Sequence, residues 1–274
     1  MPELPEVEII RRYLAGNIVG KTVGTVESLL PRMWRNTTAA VASDILTNQT
    51  IESVGRRGKY LVFTWSPSGA VLLVHLKLTG RLIYRPEPSV ERFDRILFHF
   101  TDGTMLAYGD IRTLGALYCF PDRKAIDVKA YLAMGVEPLS TGFTAKKFSE
   151  LVKRSSQPIK PFLLAQTFVA GLGNIYVDEA LFMAHVLPTR PADSLNETEV
   201  VSLHRAIRKV LRDGLANGGT SFRDYRNGEG KRGHNQDHLK VYGRGGKPCV
   251  RCGRPLADMT LRGRHTVFCE KCQK

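Results

Sequence analysis

Apolar residues recur at Val7, Ile10 and Leu14, the i, i+3, i+7 spacing of one helix face, so the pattern predicts a helix over 3–15 that stops at Gly16. From about 20 to 120 the period shortens towards that of strands. The clearest predicted strands cover 60–65, 71–76, 95–100 and 105–108, with turn-forming runs at 66–69 and 101–104. Cys119, between Tyr118 and Phe120, reads as a buried strand residue. Strands spaced this regularly suggest a β-sandwich or barrel. A linker follows over 135–140, holding Gly135 and Pro138. Beyond it the period is helical, with predicted helices at 143–154, 160–166, 174–183 and 197–216. The last would bury Val200, Leu203, Ile207, Val210, Leu211 and Leu215. Asn196 and Glu199 resemble a capping box at its start, and Gly218 and Gly219 stop it. Residues 220–238 are polar, glycine-rich and charged, and read as a mobile loop. No internal repeat is evident.

The chain has 274 residues, enough for one large domain or two of ordinary size, and 43% of them are hydrophobic. No apolar run reaches the ~18 residues of a membrane span, and the acidic, proline-broken start is unlike a signal peptide. A cytoplasmic, nucleoid-associated protein is expected. The net charge is +14, and the last 61 residues, with 13 Lys/Arg against 5 Asp/Glu, carry +8 of it. Such a balance points to a polyanionic partner, nucleic acid before an anionic membrane, since no basic amphipathic helix stands out. Four of the five cysteines form two C-x-x-C pairs, Cys249 with Cys252 and Cys269 with Cys272. This is the four-thiolate spacing of a zinc ribbon. Disulfides are the alternative, disfavoured in a compartment that keeps thiols reduced.

Chemistry is concentrated at the start. Removal of Met1 would leave Pro2 with a free secondary amine, titrating near ~8 and partly neutral at physiological pH. A neutral amine attacks a carbonyl-like carbon, and from a secondary amine the product is a cationic iminium, an electron sink. Glu3 beside it is a candidate acid/base. The plainer reading of Pro2 is a first-turn helix proline. Gly171, Gly173 and Asn174 could bring backbone amides and a helix N-terminus to a phosphate, or simply cap a helix. Arg56, Arg57 and Lys59 form a basic cluster before a strand, and Arg264 lies on the zinc hairpin; each is a phosphate ligand or a solvated cation.

Together these residues resemble the formamidopyrimidine-DNA glycosylases, within the wider group that includes endonuclease VIII. The likeness runs nearly end to end. It rests on the opening Pro2-Glu3-Leu4-Pro5-Glu6, on Arg56 to Tyr60, on Ile159-Lys160-Pro161, on Val169 through Asn174 to Glu179, on Val241-Tyr242-Gly243 and on the four cysteines. The opening is closer to the formamidopyrimidine branch, since the other typically has glycine where Leu4 stands.

The resemblance implies an α+β multidomain fold. It comprises an N-terminal β-sandwich with flanking helices (1–134), a helical domain with a helix–two-turn–helix motif (135–238) and a lesion-covering loop (221–239), and a zinc-ribbon hairpin (239–274). It implies a bifunctional glycosylase and abasic-site lyase on damaged double-stranded DNA, in which Pro2, Glu3, Lys59 and Arg264 act at the reacting centre. His75, Leu78, Arg112, Leu114, Lys160, Asn174, Tyr242 and Arg264 would contact DNA, and Cys249, Cys252, Cys269 and Cys272 would hold one structural Zn²⁺. A monomer with no obligate protein partner and no membrane association is expected. The flipped base would be an oxidised purine such as 8-oxoguanine or a formamidopyrimidine. The chain departs from the pattern where the gap left in the duplex is filled. Leu78 stands for the usual methionine, and Thr113-Leu114 for a basic residue and phenylalanine, while Arg112 is kept. His234-Asn235-Gln236 stands where an aromatic commonly precedes the glutamine. A paralogue with altered preference for oxidised pyrimidines, hydantoins or abasic sites therefore stays open, as does a DNA binder that does not cut.

Overall fold

The predicted first helix, α1, spans Leu4–Ile18 and buries Val7, Ile10, Leu14 and Ile18. Gly16 does not end it, because a surface glycine costs a helix only about 1 kcal/mol and Ile18 adds a buried contact. The computed structural model describes every residue of the chain except Arg223, which belongs to the 221–239 loop and lies outside the described residues.

Two compact units are formed, Met1–Leu132 with Asn217–Gln236, and Ala133–Ala216 with Asp237–Lys274. In the first, α1 is followed by β1 (Val23–Ser28), α2 (Ala39–Leu46), β2 (Thr50–Arg57), β3 (Tyr60–Ser66), β4 (Val71–His75), β5 (Gly80–Arg85), β6 (Asp94–Phe100), β7 (Met105–Asp110), β8 (Ala116–Phe120) and the short α3 (Lys129–Leu132). The strands make two antiparallel four-stranded sheets, ordered β1-β6-β7-β5 and β2-β3-β4-β8. One core joins them. Leu61, Phe63, Trp65, Leu72 and Val74 of one sheet meet Ile96, Phe98, Leu106 and Tyr108 of the other, and α1 packs on the same cluster. Of the sandwich and the barrel that the strand spacing allows, this is the sandwich. Cys119 is buried in β8, as its neighbours imply.

The segment 217–236 belongs to this first unit and not with the helices that precede it. Its polar residues make bonds that the sequence pattern could not show. Thr220 N donates to Glu6 Oε1 at 2.8 Å, Ser221 N to Gln236 Oε1 at 2.8 Å, and Asn235 Nδ2 to Thr220 Oγ1 at 2.9 Å. Tyr84 N donates to Gly228 O at 3.0 Å, so the segment also covers the open edge of β5. At its base the chain passes itself closely: a Cβ on Gly233 would lie 2.1 Å from Gly219 O.

The second unit contains α4 (Ala145–Val152), α5 (Ile159–Leu164), α6 (Asn174–Ala184), α7 (Glu197–Ala216) and the hairpin β9 (Ala257–Leu261) with β10 (Arg264–Phe268). The capping box of α7 is reciprocal: Asn196 N donates to Glu199 Oε2 and Glu199 N to Asn196 Oδ1, both at 2.9 Å. The face expected to be buried is buried except for Leu215, whose place is taken by Gly214, because a Cβ there would lie 2.5 Å from Tyr176 Oη. No helix among the described residues is long and apolar enough to cross a membrane.

Candidate active site and nucleic-acid interface

In the first unit Met1 is exposed while Pro2 and Glu3 are buried at the start of α1. Glu6, also buried, fixes this start. Its Oε2 accepts from Glu3 N at 2.8 Å and its Oε1 accepts from Thr220 N, so one carboxylate joins the candidate nucleophile's neighbour to the 217–236 segment. Lys59 stands in the two-residue turn between β2 and β3, where Gly58 takes φ +55°. That hairpin is tied to α1 by Arg56, whose Nε donates to Glu8 Oε2 at 3.2 Å. Glu8 also accepts from Arg11 and Arg12 at 2.7 and 2.9 Å. Burial works to raise its pKa, but the arginine hydrogen bonds and charges hold it below the ordinary glutamate value.

His75 ends β4, paired with Tyr60 of β3, whose ring meets it edge-on with centroids 4.6 Å apart. Burial first, then the charges of Lys77 and Lys59, bring the His75 pKa down to about 3. The ring is therefore neutral. Its Nδ1 accepts from Lys77 N at 3.0 Å, which leaves the proton on Nε2 as a donor. Leu78 follows on the turn before β5, and Arg112 and Leu114 on the loop after β7; all three are exposed.

In the second unit one backbone carbonyl organises the other predicted residues. His265 O, in β10, accepts from Lys160 Nζ and from Asn174 Nδ2, each at 2.8 Å. An amide nitrogen carries two protons, so Asn174, the first residue of α6, keeps a second donor at a helix N-terminus. Arg264 precedes His265 and is exposed. Lys160 is placed otherwise than a phosphate ligand: its side chain is 0% exposed, with Nζ 2.6 Å from Asp178 Oδ1. Burial pushes the Asp178 carboxyl up to about 6 while Lys160 pulls the other way, and Asp178 Oδ2 accepts from Val267 N of β10 at 3.2 Å. Glu179 accepts from the amides of Lys240, Val241 and Tyr242 at 2.8 to 3.0 Å, so Tyr242 is placed from the same helix.

Sequence reasoning missed Glu6, Asp178 and Glu179. A signal existed for the last two, a pair of acids inside an apolar run, Ile175 to Phe182, which water-facing helices do not show.

The four predicted cysteines converge, with all their sulfurs within 4.8 Å of one another. Cys252 Sγ and Cys269 Sγ are 3.5 Å apart, and Cys249 Sγ and Cys272 Sγ 4.0 Å. A tetrahedral Zn²⁺ with Zn–S near ~2.3 Å needs sulfurs about 3.8 Å apart, so the cluster fits one structural zinc ion. The hairpin it supports turns through Arg262 and Gly263, both at positive φ, a two-residue turn matched to the twist of its strands.

Comparison with known proteins agrees with this geometry. Residues 1–117 match the family model of the formamidopyrimidine-DNA glycosylase N-terminal domain, 134–226 that of the formamidopyrimidine-DNA glycosylase H2TH domain, and 246–274 that of a zinc finger found in FPG and IleRS. The chain belongs to the formamidopyrimidine-DNA glycosylase family. It is 45% identical over 279 residues to the formamidopyrimidine-DNA glycosylase of Heliobacterium modesticaldum, with all of both chains covered. The corresponding protein of Pelotomaculum thermopropionicum is 42% identical over 275 residues, covering 100% of this chain and 99% of that one. Among solved structures, MutM (Fpg) of Thermus thermophilus superposes with a TM-score of 0.88 at 39% identity, over 99% of this chain and 98% of that. A complex of Lactococcus lactis Fpg with DNA containing N7-benzyl-Fapy-dG gives 0.90 at 36% identity, over the whole of both chains.

Proposed function

We propose that this chain is a base-excision repair glycosylase for oxidised bases in duplex DNA, and an abasic-site lyase. The observation that carries the proposal is Pro2 with Glu3 at the buried start of α1, held by Glu6, in a unit that also bears Lys59. Mere DNA binding needs no amine beside a carboxylate. Related structures were solved with carbocyclic 8-oxo-G, Fapy-dG and abasic DNA, which supports the substrate class.

The target nucleotide leaves the stack at a cost of a few kcal/mol, with Leu78, Arg112 and Leu114 at the gap. After loss of Met1, the Pro2 nitrogen attacks C1′ and the C1′–base bond breaks, the electron pair leaving with the base. Glu3 transfers protons during ring opening. The iminium acidifies C2′–H, and its loss expels the 3′ phosphate; a second elimination expels the 5′ phosphate. Lys59 and the Nε2–H of His75 serve the phosphates on this side. Asn174, Arg264 and Tyr242 grip flanking phosphates, with Lys160 as a brace beneath them. The zinc ion supplies no chemistry; it holds the hairpin that carries Arg264.

Borohydride trapping on two labelled duplexes tests this, one with an abasic site and one with 8-oxoguanine opposite cytosine. Protein whose mass confirms loss of Met1 is expected to form a covalent adduct on both. Pro2→Gly keeps a primary amine and slows turnover, and Glu3→Gln impairs base release more than binding. An adduct on the abasic duplex alone keeps the lyase and moves the substrate to another lesion. That second reading is favoured by Leu78 and Thr113, which replace the usual methionine and basic residue, and by Leu114, which removes an aromatic from the wedge. No adduct on either duplex overturns the enzyme in favour of a DNA binder that does not cut.

A further inference from the structure

Leu78 and Leu114, both exposed, stand on two separate turns, and one buried carboxylate holds both. Asp110, the last residue of β7, is 0% exposed. Its Oδ1 accepts from Thr79 Oγ1 and, at 3.2 Å, from Arg112 N. Its Oδ2 accepts from Gly115 N at 2.8 Å and Tyr108 Oη at 3.2 Å. Four donors fill the four lone-pair positions of a carboxylate. The Thr79 hydroxyl in turn accepts from Arg112 N at 3.0 Å. The β5–β7 ladder pairs Gly80 with Asp110 at the root of the turn bearing Leu78 and the loop bearing Arg112 and Leu114, and beyond that ladder the Thr79 hydroxyl adds a side-chain joint between them.

The joint tolerates little change. A Cβ on Gly115 would lie 1.8 Å from Tyr108 Oη, and one on Gly80 would lie 2.5 Å from Leu76 O. Each leucine also follows a non-glycine residue in the left-handed region, Lys77 at φ +52° and Thr113 at φ +53°. Such backbone persists only where its surroundings hold it. Arg32 Nη2 donates to Thr113 Oγ1 at 3.2 Å and Arg35 Nη2 to Gly115 O at 2.9 Å, bracing the loop from its other side. A carboxylate needed only to fold its own loop has partners enough in Tyr108, Arg112 and Gly115. The bond to Thr79 is the one its side chain makes to the other turn, past the last rung of the ladder between Gly80 and Asp110.

We propose that Asp110, acting through Thr79, is a positioning residue that makes the two leucine-bearing turns enter a duplex as one rigid wedge. The proposal rests on the DNA-binding part of the function above and not on strand cleavage. Asp110→Asn would place an amide among four donors and disrupt the loop outright, so Thr79 is the informative position. Thr79→Val removes the link and leaves Asp110 its bonds within the loop, and Thr79→Ser keeps the hydroxyl.

The probe is a duplex with 2-aminopurine beside an 8-oxoguanine·cytosine pair, whose fluorescence rises when the stack opens. A second duplex carries the same lesion unpaired in a bulge. With Thr79→Val the rate of the rise is expected to fall about tenfold on the paired duplex and to change less than about twofold on the bulge, and Thr79→Ser restores it. Equal loss on both duplexes, no loss on either, or failure of the serine variant to rescue overturns the proposal. So does an unaltered protein that produces no rise. Because the readout needs no base release, a protein that unstacks DNA but never cuts fails the trapping test and still decides this one.

Discussion

A histidine whose folded pKa lies below its unfolded value contributes stability above that unfolded value and loses it as pH falls. His75, brought down to about 3 from an ordinary 6.5, is such a group. The window of loss runs from about pH 6.5 down to about pH 3, where the unfolded ring charges while the folded ring stays a neutral donor. Calorimetry is expected to show the melting temperature of the native chain falling more steeply between about pH 6.5 and about pH 4 than that of His75→Gln, which cannot charge. At this scale the sequence was legible where an uncommon residue recurs at a fixed spacing, as the four cysteines do in their two pairs. It was illegible where a common residue acts by position. Nothing in the string marks Asp110 apart from other aspartates, and Lys160 reads as a DNA contact until its partner Asp178 is seen 2.6 Å away. Burial of a charge is a property of the fold, not of its neighbours in sequence.

Among the elements, α7 was readable to its ends, because Asn196 and Glu199 cap it and the apolar stripe repeats over five turns. The short α2 went unseen: eight residues give too little periodicity to set against the strands around it. The β9–β10 hairpin has little core of its own, since its first strand is largely exposed, and it depends on the cysteine cluster and on the His265 carbonyl contacts. Metal in such a ribbon contributes on the order of 10 kcal/mol to folding. Elemental analysis is expected to find one zinc per chain. Stripping it with a chelator, or Cys269→Ser, is expected to weaken binding to an abasic duplex by at least about tenfold while leaving the sandwich's near-ultraviolet dichroism largely intact. Retention of full affinity by the metal-free protein would separate the ribbon from DNA binding.

For the whole molecule, the charge of +14 has a direct consequence. Each phosphate neutralised releases counterions, so with six or more contacts the affinity for any duplex is expected to fall about 10³-fold between ~50 and ~200 mM salt. A titration showing a shallow slope would limit the grip to one or two phosphates. The sequence divides into three parts, 1–134, 135–238 and 239–274, whereas the contacts make two units, and the membership of 217–236 was not legible because its bonds to Glu6 and Tyr84 span long separations in sequence. That membership makes the chain plaited: it passes from one unit to the other at 132–133, returns at 216–217, and leaves again at 236–237. A gene fragment ending at Leu132 therefore lacks a piece of its own domain, leaving the Glu6 carboxylate short of a donor and the β5 edge bare. The two units are accordingly not exchangeable modules in a linear fusion. A protease cut at any one crossing leaves the pieces interlaced by the other two, and recombination between relatives can swap either unit only by changing the chain in two places or more.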